Sequence, residues 1–403
     1  MSDATLDPRI TAPRAVPKRR VRLNWSDPLF RNIVWQVVVV GIVGVILWYL
    51  ISNTSQNLAA RRIATGFAFL YRVAGIPIGE SLIPYNPAVN TYGHALIVGV
   101  LNTLKVAVVG IVLATILGTL IGIGRLSKNW LLARLTAAYV ETLRNLPVLL
   151  QLLFWYALLQ GLPAPRQSIR IGDAVFLSNR GIKVPALVWA PGLTWAVIAL
   201  AVGIAGSVAW VRRARRRQEA TGVRPRTWPV TVGLLIALPL AAWIAGGAPF
   251  AWDKPVLHGF NFTGGLTITP EYAALVLGLA IYTAAYIAEI VRAGIQSVPR
   301  GQWEAAGALG LRPGVVLRTI VLPQALRVII PPMTSQFLNL TKNSSLAVAI
   351  GFQDIVSIAN TTLNQTGQAI EGIAVIMAVY LTISLSISLF MNWYNAHIAL
   401  VER

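Results

Sequence analysis

Apolar residues run along this chain in long stretches with few polar interruptions, not in the short alternations of helices and strands that lie half in water. Eight such runs stand at about 33–51, 96–121, 146–162, 193–211, 229–246, 272–290, 326–350 and 373–394. Several reach or approach the ~18–20 residues that cross a hydrocarbon core. No ten-residue strands of alternating polarity accompany them, so helices, which satisfy their own backbone groups, are the expected spanning element. The seventh run is the least regular, because Pro331-Pro332 and a polar stretch interrupt it. Those prolines should break the helical ladder near its start, as a hinge beside a pathway or as a plain kink. The pattern predicts an all-α polytopic membrane protein with about eight transmembrane helices.

Composition strengthens this reading. Of the 403 residues, 56% are hydrophobic and 12% charged, against about 25% charged in a soluble domain. The net charge of +20 would suit nucleic acid. No basic stripe with interleaved aromatics lies outside the spans, however, so no nucleic-acid partner is expected. The cations sit in the connections. With the N-terminus inside, the inside segments carry 24 of the 34 Lys and Arg and the outside segments eight. That bias supports an even number of spans with both termini cytoplasmic. Residues 1–32, with Arg14, Lys18, Arg19, Arg20 and Arg22, then form a cytoplasmic basic tail ahead of an uncleaved signal anchor. The run Arg212 to Arg217 reads as a topology anchor that would also favour anionic lipid headgroups. Three outside connections, 52–95, 163–192 and 247–271, read as loops rather than a folded domain. The chain has no cysteine, which excludes disulfides and thiol chemistry. His94, His258 and His397 are isolated from one another and make no cluster.

One inside connection stands apart. Glu304-Ala305-Ala306 is followed by Gly310, then by Ile320, Leu322 and Pro323. Residues 302–309 are good helix formers apart from Gly307, Gly310 suits a left-handed C-cap, and Pro313 blocks continuation. The spacing predicts a short helix ended by a glycine turn, a compact knob able to sit in a groove on another protein. Glu304 is placed to meet a basic group there or to compensate the helix N-terminus. An amphipathic helix lying on the bilayer is the plainer alternative, but it does not require the fixed return through Ile320 and Leu322-Pro323.

This E-A-A-x3-G-x9-I-x-L-P string resembles the cytoplasmic docking loop of ATP-binding-cassette (ABC) importer permeases. The surrounding stretches Tyr282 to Gln302, Leu322 to Arg327 and Lys342-Asn343-Ser344-Ser345-Leu346 are similar to the polar amino-acid family of those permeases. So is Arg144-Asn145-Leu146-Pro147 continuing to Gln151. The resemblance covers about 95–162 and 265–395, and its enlarged form resembles the general L-amino-acid or glutamate/glutamine/aspartate/asparagine permeases of Gram-negative bacteria. It implies a five-helix type I importer core plus three extra helices. A first transmembrane helix and periplasmic loop would occupy 33–94, and the permease domain 95–395, with inserted helices at about 163–265. A cytoplasmic C-terminus would follow at 396–403. The implied function is a permease subunit that moves polar L-amino acids across the bacterial inner membrane, coupled to a separate ATPase through Glu304, Ala305, Ala306, Gly310, Ile320, Leu322 and Pro323. The implied partners are a cytoplasmic ABC ATPase dimer, a companion permease in a heterodimer and a periplasmic amino-acid-binding protein, all at a lipid bilayer.

Polar groups within spans are costly and usually face a cavity or one another. Tyr282, Tyr286 and Glu289 share one helix face, Gln336, Asn339 and Asn343 share another with Lys342 adjacent, and Lys105 lies near Asn102. They could line a substrate pathway, or tie helices together at about 1 kcal/mol each. Glu289 could equally pair with Arg292. No P-loop or other nucleotide or hydrolase motif occurs, and the 14 acidic residues offer no obvious carboxylate pair. The chain is expected to carry no catalytic residue, cofactor or metal. An ion-coupled secondary amino-acid transporter is the alternative; it would want an inverted repeat and paired mid-membrane acids, and only Glu289 offers itself.

Overall fold

The computed structural model describes Trp25 and residues 28–60, 65–172, 174–188, 191–223, 225–247 and 252–398. The expected basic tail lies outside the described residues apart from Trp25 and the start of the first helix, and so do residues 399–403. The chain divides into two compact units, 1–66 and 67–403. The first holds α1 (Pro28–Ala60), 33 residues and thus about 50 Å long. It outruns the expected 33–51 because nothing in Ser52 to Ala60 stops a helix: neither Gly nor Pro occurs there.

The second unit begins with a strap, residues 67–91, and then α2 (Tyr92–Gly124), α3 (Trp130–Asn145), α4 (Val148–Gln160) and α5 (Pro191–Thr221). Next, α6 (Trp228–Val232) runs through a π turn into α7 (Leu238–Ala245), and α8 (Pro270–Gln296) follows. After α9 (Arg300–Ala308), α10 (Pro313–Val316) runs through a second π turn into α11 (Leu322–Asn343). A 3-10 stretch, Ser344–Ile350, leads to α12 (Ile355–Thr366) and α13 (Ala369–Ile398). Among the described residues seven helical segments are long and apolar enough to cross a membrane, and eight if the bent pair α3–α4 counts as one span. The mostly helical, polytopic architecture is the expected one.

Three local expectations change. Residues 146–162 were expected to span alone, but α4 has 13 residues, about 20 Å against a core of about 30 Å. The chain instead pairs it with α3 at a bend of 106°. Pro147 forces the bend: it disfavours helix at the residue before it, and Leu146 is extended at φ −94°, ψ 132°. The Gln151 amide then donates to the carbonyls of Leu143 (3.0 Å) and Leu146 (3.1 Å), satisfying groups that the break leaves open. Second, the seventh span starts at Pro313 rather than 326, and Pro331 and Pro332 lie inside α11 without ending it. Each proline removes one helical donor, yet its fixed φ is itself helical, and the adjacent Ile329 and Ile330 are buried.

Third, two of the connections expected to be loops, 163–192 and 247–271, form strands. β1 (Ile169–Ile171), β2 (Val175–Ser178), β3 (Gly181–Val184), β4 (Ala186–Leu187), β5 (Trp252–Asp253), β6 (Val256–His258), β7 (Asn261–Thr263) and β8 (Leu266–Ile268) form three antiparallel sheets. The largest has the order β1-β2-β3-β8, with Ile182 opposite Ile268. Phe176 and Phe262 meet at 4.7 Å between ring centroids. The short strands are separated by glycine turns, which is why composition alone reads as loop.

The core is built around α8. Its most apolar window is 67% buried, whereas those of α6–α7 and α13 are 0% and 6% buried. Glycines let α2 approach it: a Cβ on Gly118 would stand 2.6 Å from Ile287 Cβ, and one on Gly122 2.7 Å from the Ala288 carbonyl. Overpacking such a crossing costs about 1–3 kcal/mol. Gly118→Val should therefore lower the melting temperature of the detergent-solubilised protein by several degrees. Gly44→Val, on α1 where nothing lies within 4 Å of the added Cβ, should change it little.

Candidate functional site

The residues singled out in the sequence fall in four places. The first is α9. Its C-terminus is a Schellman turn, with Leu311 N–H donating to the Ala306 carbonyl (3.2 Å) and Gly310 N–H to that of Gly307 (2.9 Å). Gly310 takes φ +68°, a left-handed conformation that glycine adopts without steric cost. Ala306 is 1% exposed and belongs to the core with Val298, Val316 and Val321. Glu304 and Ala305 are exposed, and Leu309 is 77% exposed. Among the described residues Glu304 makes no salt bridge. Ile320 packs against the core within the π turn, while Leu322 and Pro323 open α11 beside it. The result is an anchored knob with an acidic and apolar outer face.

The second place is the adjoining end of α8. The Tyr282 and Tyr286 hydroxyls lie 3.1 Å apart, and Tyr286 also donates to the Arg144 carbonyl (3.4 Å). Glu289 forms ion pairs with Arg125, just beyond α2, and with Arg292, whose Nε donates to it at 3.1 Å. This carboxylate thus joins the ends of α2 and α8, with Arg144 of α3 over the Tyr286 ring. The third place is α11, where Asn339 and Lys342 are exposed and Gln336 and Asn343 half-buried, opposite the buried Leu340 and Thr341. No hydrogen bond among the described residues joins this stripe to that of α8.

The fourth place lies along α2 beside the start of α8, and its centre was missed in the sequence. Lys105 pairs with Glu80 of the strap at 2.8 Å and lies 3.9 Å above the Tyr272 ring. Glu80 also accepts from Thr269, through its N–H at 3.1 Å and through its hydroxyl. Asn102 donates to the carbonyls of Glu80 and Gln353, both at 2.9 Å. Gln353 in turn donates to the Pro77 carbonyl and accepts from Gly79 N–H, each at 2.6 Å. The strap is thereby latched across α2, the start of α8 and the turn at 351–354, beside a cavity of about 210 Å³. A signal existed: Glu80 is the sole carboxylate between 52 and 95.

That turn ends in Asp354, fully buried, which caps α12 by accepting from Ser357 N–H at 2.9 Å. Burial pushes its carboxyl up to about 6 against the hydrogen bonds it accepts. Among the described residues no group of three potential metal ligands comes together.

The family of binding-protein-dependent transport system inner membrane components matches residues 226–399. The chain is 51% identical to the general L-amino acid transport system permease protein AapQ of Rhizobium johnstonii, over 94% of each chain. It is 53% identical to the putative amino-acid ABC transporter permease protein YhdX of Escherichia coli, over 94% of this chain and 97% of that one. With the glutamate/glutamine/aspartate/asparagine transport system permease protein BztB of Rhodobacter capsulatus it shares 44% identity, over 96% and 98%. Coverage this complete takes in the inserted helices as well as the core.

Removing Lys105 alone strands the Glu80 carboxylate, 12% exposed, without its cation. Lys105→Met should cost about 1–3 kcal/mol of stability, and Lys105→Met/Glu80→Gln less, as compared by thermal unfolding. For Asp354, a carboxyl that titrates higher in the fold than in the open chain (about 3.9) binds its proton more tightly when folded. Its contribution to stability is therefore greatest below about pH 4 and declines towards pH 6. Asp354→Asn, which keeps a good N-cap, should flatten that limb of the stability profile.

Proposed function

The chain belongs to the amino-acid ABC transporter permeases, and from that premise we propose that it is one membrane subunit of an importer for polar L-amino acids, driven by a separate ATPase through α9. Such a permease is a transport subunit rather than an enzyme in itself. The observation that carries the coupling is the build of α9: a rigidly capped helix, fixed to the core by Ala306, presenting Glu304, Ala305 and Leu309 outward. A helix with that face is a ready insert for a groove on a soluble partner. Because α10 and α11 continue directly from it, displacement of α9 is passed to the span that carries the polar stripe.

In this reading two ATPase copies bind the cytoplasmic face, the side on which the positive-inside count leads us to expect α9. A periplasmic binding protein delivers substrate to the opposite face, where the strap and the β-sheets stand. A companion permease completes the membrane pair, and the exposed Asn339 and Lys342 with Gln336 and Asn343 face the pathway between the halves. Lys342 would meet the substrate carboxylate. Tyr282 and Tyr286 take a place on that pathway, and Glu289, held by two arginines, acts as a closure of its inner end. Lys105 serves the outer latch rather than free substrate contact. Nucleotide and substrate must both bias the same two-state arrangement, since neither shifts it without differential binding. The family membership gives no support to an ion-coupled mechanism.

Gly310→Asp tests the coupling. Nothing lies within 4 Å of a Cβ added at Gly310, and Asp is among the residues that tolerate a left-handed conformation. The fold should survive while a charge appears at the negative end of the α9 dipole. Affinity purification from native membranes should recover an ATPase and a second permease with the wild type, and a depleted ATPase with the variant. Uptake should fall to background with normal membrane insertion. Undiminished uptake by Gly310→Asp, or a wild-type chain recovered alone from mild detergent, would overturn this reading.

A further inference from the structure

One cavity that the proposed transport cycle does not use lies among the inserted helices. It opens between α5 and the α6–α7 helix, with a volume of about 540 Å³. Arg212, Arg213 and Arg216 line one part of it, and Gly206, Val230 and Leu234 form an apolar floor. The helical repeat explains the selection. Positions 206, 209, 213 and 216 recur on one face of α5, and Arg212 joins that face three residues after 209 and four before 216, so three arginines of the Arg212–Arg217 run line the groove. Arg215 and Arg217 do not.

The chemistry of the lining is unbalanced in one direction. All three arginines are exposed, and among the described residues none makes a salt bridge. Trp210, also in the lining, buries an indole N–H without an acceptor. Donors therefore gather at one end of a groove whose other end offers only hydrocarbon. A topology anchor needs positive charge but no groove, and a soluble anion needs the charge but gains nothing from Val230 and Leu234. A molecule with an anionic head and an apolar tail uses both. The surroundings supply it, because α5 and α6–α7 are little enclosed: their most apolar windows are 17% and 0% buried.

We propose that this groove binds one anionic phospholipid, its phosphate held by the guanidinium groups of Arg212, Arg213 and Arg216 and an acyl chain laid along Val230 and Leu234. Guanidinium forks match phosphate oxygens two at a time, which a point charge does not. The lipid would brace the inserted helices, whose mutual packing is close. A Cβ on Gly206 would stand 3.3 Å from Leu234, just beside the groove.

Native mass spectrometry of the full-length protein, incubated with equal amounts of phosphatidylglycerol and phosphatidylethanolamine, tests this. The wild type should retain phosphatidylglycerol preferentially. The variant Arg212→Gln/Arg213→Gln/Arg216→Gln should lose that preference by on the order of 100-fold, each basic group near an anionic headgroup being worth several-fold. Arg215→Gln/Arg217→Gln should keep it, although it also loses positive charge. Leu234→Trp, which fills the floor and spares every arginine, should weaken retention as well, and it decides the matter if the triple variant does not insert. Equal losses in the two arginine variants would reduce the effect to bulk charge. Full displacement by inorganic phosphate, or undiminished retention in Leu234→Trp, would make the groove an anion site and overturn the lipid assignment.

Discussion

In hydrocarbon a backbone carbonyl or amide without a partner costs several kcal/mol, about as much as any single packing contact returns. The core of this protein is arranged around the few places where a helix stops and that debt falls due. At Leu146-Pro147 the Gln151 amide closes two open carbonyls. Thr91, Thr269 and Asp354 each turn a side-chain oxygen onto the first amides of α2, α8 and α12. Gly310 and Gly367 end α9 and α12 in left-handed turns that hydrogen-bond back. Each break can therefore be placed where a change of direction is wanted, and α8 can run unbroken at the centre.

Charge is distributed by the same economy of partners. At one end of α8, Glu289 is shared by Arg125 and Arg292. At the other, Glu80 is shared by Lys105 and Thr269. Both acids join elements distant in sequence, so each end of the α2–α8 pair is closed by one carboxylate. In the proposed alternating cycle these contacts would have to be given up in turn.

What could be read in the sequence was whatever depends on neighbours along the chain. Most of the spans, the short helix before Gly310 and its glycine cap follow from runs, propensities and one positive-φ position, and the structure contains them with shifted ends. Long-range pairings could not be read that way. Nothing local in Lys105 points to Glu80, and the bend after Leu146 hides inside a continuous apolar run because Gln151 looks like an ordinary polar interruption. The strands of 169–268 were obscured by their brevity, since three or four residues show no period. Pro331 and Pro332 misled in the other direction. Their cost is real, but the packing of Ile329 and Ile330 holds α11 through it.

The inserted segment leaves the core at the end of α4 and returns at the start of α8, and these two points are neighbours: Tyr156 donates to Glu271 at 3.2 Å. β3, near the start of the insertion, and β8, near its end, pair with each other. Closing a segment whose ends the core holds together costs only about 0.6 kcal/mol more for each doubling of its length. The packing around α8 thus asks of the insertion only that its two ends meet, and sets no length for what hangs between them.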